Sequence, residues 1–482
     1  MSLPAASRRT RRAVVVAIAL IAATCGALPV AQAQPTAAAP ASASAGAPQD
    51  FNGDGYGDLA VAAPHATVGG KAEAGYVAVL YGSASGLRTT AKKVYTQASA
   101  EIPGTPETGD RFGSLLLAAD LDGDGYTDLS VQAEGEQWTQ GGIARKGNRT
   151  ILWGGSGGLT SGKVIPARDS GTYQSGGDSV TGDFNGDGHQ DLLHVGNVYL
   201  GPFGRDGVPA SVRSNPEIVD GDLDLLGLVA GDIDGDGVTD LVTMARSYDG
   251  DDEGDHGEHL NYLRGGRDGL QPLVVLKDAQ GEPLRPGHDV ALGDVNGDHR
   301  ADIVTARGSL RFVPGTANGP ATSFAPQSID QDTPGVPGAE EPEDWFGYDL
   351  SVADVNGDGY GDVLAGNPYE DLGTVQRAGA FTVVPGGKNG PTGAGSTLFS
   401  QNSANVPGAA EKDDRFGENT AFVDGNGDGK AEPVVAAIAE DSSAGAVWVF
   451  RGAATATGSF SFGAGTLGTT ASRAWLGAEF PR

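Results

Sequence analysis

The chain has 482 residues and a formal net charge of −30, with 62 acidic against 32 basic side chains. A surface this acidic argues against nucleic acid and anionic membranes as partners, and a single cysteine leaves no disulfide framework. Its 78 glycines are far above the usual ~7% and mark a chain of many tight turns.

In chain order, residues 1–33 read as a secretory signal peptide. Arg8, Arg9, Arg11 and Arg12 form the charged region, Ala13 to Val30 the apolar one, and Ala31-Gln32-Ala33 a small-x-small cleavage site. The alternative is a single membrane anchor, which the apolar stretch is just long enough to be; Gly26, Pro29 and the cleavage site favour removal near Ala33. Cys25 goes with it, and the mature chain is expected to be secreted, without cysteine and not inserted in a membrane. Residues 34–49, QPTAAAPASASAGAPQ, have the composition of a flexible linker.

From Asp50 onward one nine-residue pattern recurs seven times: DFNGDGYGD (50–58), DLDGDGYTD (120–128), DFNGDGHQD (183–191), DIDGDGVTD (232–240), DVNGDHRAD (294–302), DVNGDGYGD (354–362) and DGNGDGKAE (424–432). Oxygen ligands at alternate positions about early glycines are how a chain wraps a hard cation such as calcium. The expected side-chain ligands at position 1 are Asp50, Asp120, Asp183, Asp232, Asp294, Asp354 and Asp424. At position 3 stand Asn52, Asp122, Asn185, Asp234, Asn296, Asn356 and Asn426, and at position 5 Asp54, Asp124, Asp187, Asp236, Asp298, Asp358 and Asp428. Position 9 is Asp58, Asp128, Asp191, Asp240, Asp302, Asp362 or Glu432. A backbone carbonyl at position 7 completes the set, from Tyr56, Tyr126, His189, Val238, Tyr360 and Lys430. An EF-hand is set aside because its last acid stands at position 12 and begins a helix. The bland alternative is an ion-free turn held by Asx hydrogen bonds; seven copies weigh against it. The second and fourth loops carry four carboxylates each and are expected to bind best. His299 with Arg300 weakens the fifth, and Lys430 with Glu432 the seventh.

Each loop runs into an apolar strand (LAVAAP, LSVQA, LLHV, LVTMA, IVTA, VLAGNP, PVVAAIA), and a second strand ending in glycine follows, as in YVAVLYG (76–82) and AVWVFRG (446–452). A third precedes each later loop, and a weaker fourth lies between. Units of about sixty residues built this way predict an all-β fold, a seven-bladed β-propeller of four-stranded antiparallel blades over residues 50–482. The third unit is the shortest.

Phe112-Gly113, Phe346-Gly347 and Phe416-Gly417 ahead of Asp-rich loops, with Ala62-Ala63-Pro64 and Gly366-Asn367-Pro368 after them, resemble the FG-GAP repeat family, the β-propeller of integrin α-subunit heads. The resemblance covers essentially all of 50–482 and implies fold and calcium loops rather than a function. It also implies a strand ahead of the first loop, where only the linker stands. Trp475-Leu476-Gly477 is a variant of the FG strand, so the C-terminal residues are expected to complete the first blade and close the ring.

One insertion stands out, SYDGDDEGDHGEHL at 247–260, where Asp251, Asp252, Asp255, His256, Glu258 and His259 form either a second metal site or a solvated acidic loop. No catalytic motif is seen. The reading is a secreted, monomeric, calcium-binding propeller acting as a binding or adhesion module for an extracellular protein or glycan. The alternative is a secreted polysaccharide-active enzyme, a lyase or hydrolase, on the same scaffold.

Overall fold

In the computed structural model, residues 49–481 are described apart from 141, 166–178, 195, 216–222, 248–256, 322–326, 342 and 453–454. The signal and linker segments, and Asp251, Asp252, Asp255 and His256 of the acidic insertion, lie outside the described residues.

Short apolar runs between glycine turns pair in sequence order, so each repeat closes on itself as an antiparallel meander. The sixth repeat shows the plan: Leu350–Ala353, Asp362–Asn367, Ala380–Val384 and Thr397–Phe399 pair in that order. Six repeats form four-stranded sheets, the short third unit (Ser179–Gly182 to Ser211–Ser214) included, and a three-stranded sheet belongs to the first. First strands of successive blades lie against one another, so these strands line the centre of the ring. The result is a seven-bladed β-propeller.

The core is not one body but seven. Alternate side chains of a strand face opposite ways, and here both faces are buried: in Leu59–Ala63, Leu59, Val61 and Ala63 pack toward the seventh blade, while Ala60 and Ala62 pack toward the second. Each of the seven apolar clusters draws from two adjacent blades. Burying both faces explains why these strands read as unbroken apolar runs rather than alternating ones.

The ring closes as the sequence implies, with a difference in detail. Leu476 takes the place of the FG phenylalanine: its N–H donates to the Ala444 carbonyl at 3.1 Å, as Phe416 donates to Ala378 and Phe112 to Ala74. Beyond it, Gly477 donates to the Ala62 carbonyl and Ala62 to that of Glu479, both at 3.0 Å. Glu479 pairs with Ala62 in a single bridge, where Asn419 pairs with Ala436 inside a full ladder. At the other end of the same edge, Asp58 donates to the Gln49 carbonyl, the place that Val423 holds opposite Glu432. The inner strand of the first blade is therefore composite, begun by residues near 479 and finished by Gln49.

Leu476 is fully buried in the cluster joining the seventh and first blades. Leu476→Ala is expected to destabilise the domain by about 2–5 kcal/mol, seen as an earlier midpoint in chemical denaturation. A midpoint within error of the parent would mean that this segment is not part of the closure.

Candidate metal centre

All seven Asp-rich loops adopt one conformation, because the position-1 carboxylate captures the backbone that follows it. In the first loop Asp50 Oδ1 accepts from Gly53 N at 2.6 Å and Asp54 N at 3.2 Å, and its Oδ2 accepts from Gly55 N at 2.8 Å. The position-6 amide makes the same bond to position 1 in every loop. Position 3 then accepts from the position-5 amide in five of the loops, as in Asn52 to Asp54 at 2.9 Å. The fifth loop keeps this shape although His299 replaces the glycine; the residue sits at φ +66°, a left-handed backbone costing about 1–2 kcal/mol outside glycine.

Position 9 does different work. Asp58 is fully buried; its Oδ2 accepts from Phe51 N at 3.0 Å and its Oδ1 from Gly82 N at 2.9 Å. The carboxylate thus ties the start of its own loop to the end of the blade's third strand. The same pair of bonds holds Asp128, Asp191, Asp240, Asp302 and Asp362, and Glu432 keeps the bond from Gly425. The glycine ending the third strand is required by crowding: a Cβ on Gly82 would stand 2.4 Å from the Gly57 carbonyl oxygen.

The loops also join neighbouring blades. The position-1 carbonyl accepts from the position-8 amide of the following loop: Asp50 from Thr127, Asp183 from Thr239, Asp232 from Ala301, Asp294 from Gly361, Asp354 from Ala431 and, across the closure, Asp424 from Gly57. Position-7 side chains rest on the preceding loop, where a Cβ on Gly53 would lie 2.4 Å from the Tyr126 ring. Position 2 buries its side chain in the apolar cluster between blades, as Phe51, Leu121, Phe184, Ile233 and Val295 do. None of these ties was evident from the sequence, although the apolar residue at position 2 of six loops was their visible trace.

Oxygens therefore gather at the rim of every loop. In the two loops with aspartate at position 3, ligand atoms of Asp120, Asp122 and Asp124, and of Asp232, Asp234 and Asp240, lie within 4.8 Å of one another. Asp234 Oδ2 is buried and ion-paired with the Arg264 guanidinium. An all-oxygen, anionic donor set suits a hard divalent cation.

The same two loops carry a feature that sequence reading missed. Arg205 pairs with Asp122 and Asp124, and Arg264 with Asp234 at 2.5 Å and Asp236 at 3.0 Å. Each fourth carboxylate is thus met by a guanidinium, and with that charge counted these loops match the first, third and sixth loops in formal net charge. Arg300 of the fifth loop pairs with Asp298 and also donates to the Asp234 carbonyl, spending part of its charge on the fourth loop. Lys430 lies over Gly357 of the sixth. Of the insertion, Glu258 pairs with Arg246 and Arg307, and His259 lies on the strand Glu258–Leu263.

Burial pushes the position-9 acids up. Asp58, Asp128, Asp191, Asp240, Asp302 and Glu432 are raised to about 7 and Asp362 to about 6, against the lowering effect of their backbone donors. A second set repeats at three blade junctions: Gln97, Gln331 and Gln401 donate to Glu136, Glu370 and Glu440 at 2.6–2.8 Å. Burial raises Glu370 and Glu440 to about 7.

A raised acid is still protonated in the folded chain at pH values where the unfolded chain has lost its proton. The folded state then binds more protons between about pH 4 and 7, so stability is greatest at the acid end of that window and is lost as pH rises through it. In chelator, the melting temperature is expected to fall from pH 5 to pH 8. Glu370→Gln should compare better with the parent at pH 8 than at pH 5; the reverse order in a melting series would show the carboxylate to be stabilised as the anion.

An FG-GAP repeat profile matches residues 42–80, 112–148 and 346–384. Phosphatidylinositol-glycan-specific phospholipase D of Homo sapiens is 32% identical over 174 residues, 36% of this chain and 20% of that protein. Integrin alpha-IIb of Homo sapiens is 44% identical over 87 residues, 18% of this chain and 7% of the integrin. The chain thus spans about a fifth of the length of the phospholipases it matches. Among solved structures, a rhamnogalacturonan lyase of Bacillus licheniformis superposes with a TM-score of 0.30 and 13% identity, over 85% of this chain and 76% of the lyase. The Photorhabdus luminescens Tc holotoxin pore gives 0.37 and 16%, over 75% and 15%. Likenesses this distant carry no functional weight.

Proposed function

We propose, from the premise that this chain carries FG-GAP repeats on a seven-bladed propeller, that it is a secreted, calcium-stabilised binding module for an extracellular protein or glycan. The observation behind the calcium assignment is the sevenfold loop, whose position-1 residue arranges oxygens with its side chain and holds the next blade with its carbonyl. A cation there offsets the mutual repulsion of the carboxylates and stiffens the ring. At an extracellular-type Kd of roughly 0.1–1 mM, about 1 mM calcium adds ~0.4–1.4 kcal/mol per site, so most of the seven loops occupied at the tighter end together approach the stability of an ordinary domain.

Binding is assigned to the opposite face. The Asp-rich loops join first strands to second strands, and at the other ends of those strands the residue ahead of the FG pair projects outward. Arg111, Trp345, Arg415 and Trp475 all hold this place, each at φ between +53° and +57°. The enzyme reading has one observation in its favour, Glu440 with a raised pKa in an open cleft beside Asp441 and Arg473. Equivalent Gln–Glu pairs recur at two other junctions, however, and a repeated tie is better explained by blade packing than by catalysis.

Three experiments test this reading. Chelation with EGTA is expected to lower the melting temperature of the mature chain, and depletion by insoluble glycans and pull-down from culture supernatant should find a ligand; an unchanged melting temperature refutes structural calcium. Arg264→Ala is expected to tighten calcium binding about two- to fivefold, the value of an ion pair whose arginine is exposed, in titration calorimetry. Weaker binding would instead make Arg264 a residue that orders the loop for the ion.

A further inference from the structure

We infer that the propeller binds a neutral glycan on an aromatic platform centred on Trp345, an assignment that rests on the reading of the protein as a binding module. The chain has five tryptophans. Trp153 and Trp448 are buried between blades, and Trp138 is half-buried, its indole N–H donating to the Gly147 carbonyl. Trp345 and Trp475 are 41% and 38% exposed, and both stand at the same place in the repeat, directly ahead of the FG pair or its Leu-Gly variant. Exposing two of the largest apolar side chains at equivalent positions gives up burial that the rest of the core exploits.

Around Trp345 other rings gather from different elements. His288, from ahead of the strand Asp289–Gly293, stacks on the indole at 4.6 Å between centroids and 13° between planes. Tyr348 lies at 5.8 Å and 23°, and Tyr369 meets the indole edge-on at 4.9 Å and 64°. Arg415 of the next blade covers the Tyr369 ring at 5.4 Å. Burial lowers the His288 pKa, which keeps its ring neutral. Among the described residues no hydrogen bond engages the Tyr348 or Tyr369 hydroxyl, so both are free to donate and accept.

This surface suits a sugar better than a protein. A stable protein interface takes about 800 Å² from each side, and aromatic rings contribute at most 150–250 Å² each, so four half-exposed rings fall short. The other exposed large apolar residues, Val164, Val208, Leu226 and Val274, belong to blades two to four and do not extend the patch. The C–H face of a pyranose ring stacks on an exposed indole, and its hydroxyls find partners in the two tyrosines. The charge is also selective: Arg415 is paired with Glu418, and a chain of net charge −30 repels a uronate polymer. The Trp475–His65 pair, at 4.1 Å between centroids, repeats the Trp345–Tyr369 arrangement two blades further round the ring, which gives a polymeric ligand a second point of contact and the gain of bivalence.

The test is retention of the calcium-loaded mature chain on insoluble cellulose, chitin and mannan, with pectate as the acidic control, comparing the parent with Trp345→Ala, Trp345→Phe and the Trp345→Ala/Trp475→Ala pair. Melting in calcium shows whether each variant is folded. The expected result is retention on one neutral polymer and none on pectate, weakened at least tenfold by Trp345→Ala, largely kept by Trp345→Phe and abolished in the double variant. Glycan retention unaffected by the substitutions overturns the platform and leaves the binding-module reading standing, as does a purified protein partner found where no glycan binds. Failure to bind any glycan or any secreted protein overturns both.

Discussion

Everything in this propeller depends on a carboxylate captured by backbone amides at the turn between the first and second strands. Position 1 folds the loop around itself, and position 9 fastens the loop to the third strand. The carbonyl of position 1 then takes a hydrogen bond from the next blade. Neighbouring blades are held by these hydrogen bonds together with the apolar clusters, which lie between blades and not within a single one. The loops are the polar counterpart of those clusters, made by the same residues: Phe51 donates its N–H to Asp58 while its ring sits in the cluster of the first and second blades.

This economy has an electrostatic cost. Seven buried acids of high pKa, each beside further aspartates, make the cation-free ring strained at neutral pH, since burial and like charge both oppose ionisation. Two means of relief are visible. The donated backbone hydrogen bonds favour the anion. Arg205 and Arg264 bring a fixed positive charge where asparagine has become aspartate. A divalent cation, on the reading proposed above, would be a third.

The fold was legible in the sequence because its signals were repeated: seven loops, the apolar run behind each, the glycine ending each third strand. Even the closure could be read from Trp475-Leu476-Gly477, since the repeat order left one strand unassigned. The bridge it forms is shorter than a full strand because the edge is shared, Glu479 facing Ala62 at one end and Gln49 facing Asp58 at the other. What was not legible lies between repeats. Arg264 follows a strand like those of other blades, and nothing about its spacing tells that its guanidinium returns to Asp234. Position 7 was read for its carbonyl, while the structure shows its side chain lying on the preceding loop. Such pairings are fixed by the angle between blades, which one-dimensional periodicity does not encode.

The same geometry separates the two faces chemically. On the loop face, position-specific oxygens are drawn inward by their own backbone, so sequence change there is constrained by the fold. At the opposite ends of the strands, the residue before each FG pair sits at a left-handed φ that the repeat keeps whatever the side chain. Arginine stands there in two blades and tryptophan in two, and none of these side chains belongs to an apolar cluster between blades. A position that the scaffold orients but does not use is where binding residues can vary without cost to folding. On the reading proposed above, calcium on one face would steady a ring whose other face presents its side chains from rigid strand ends, and the two roles would be linked only through the stiffness of the blades.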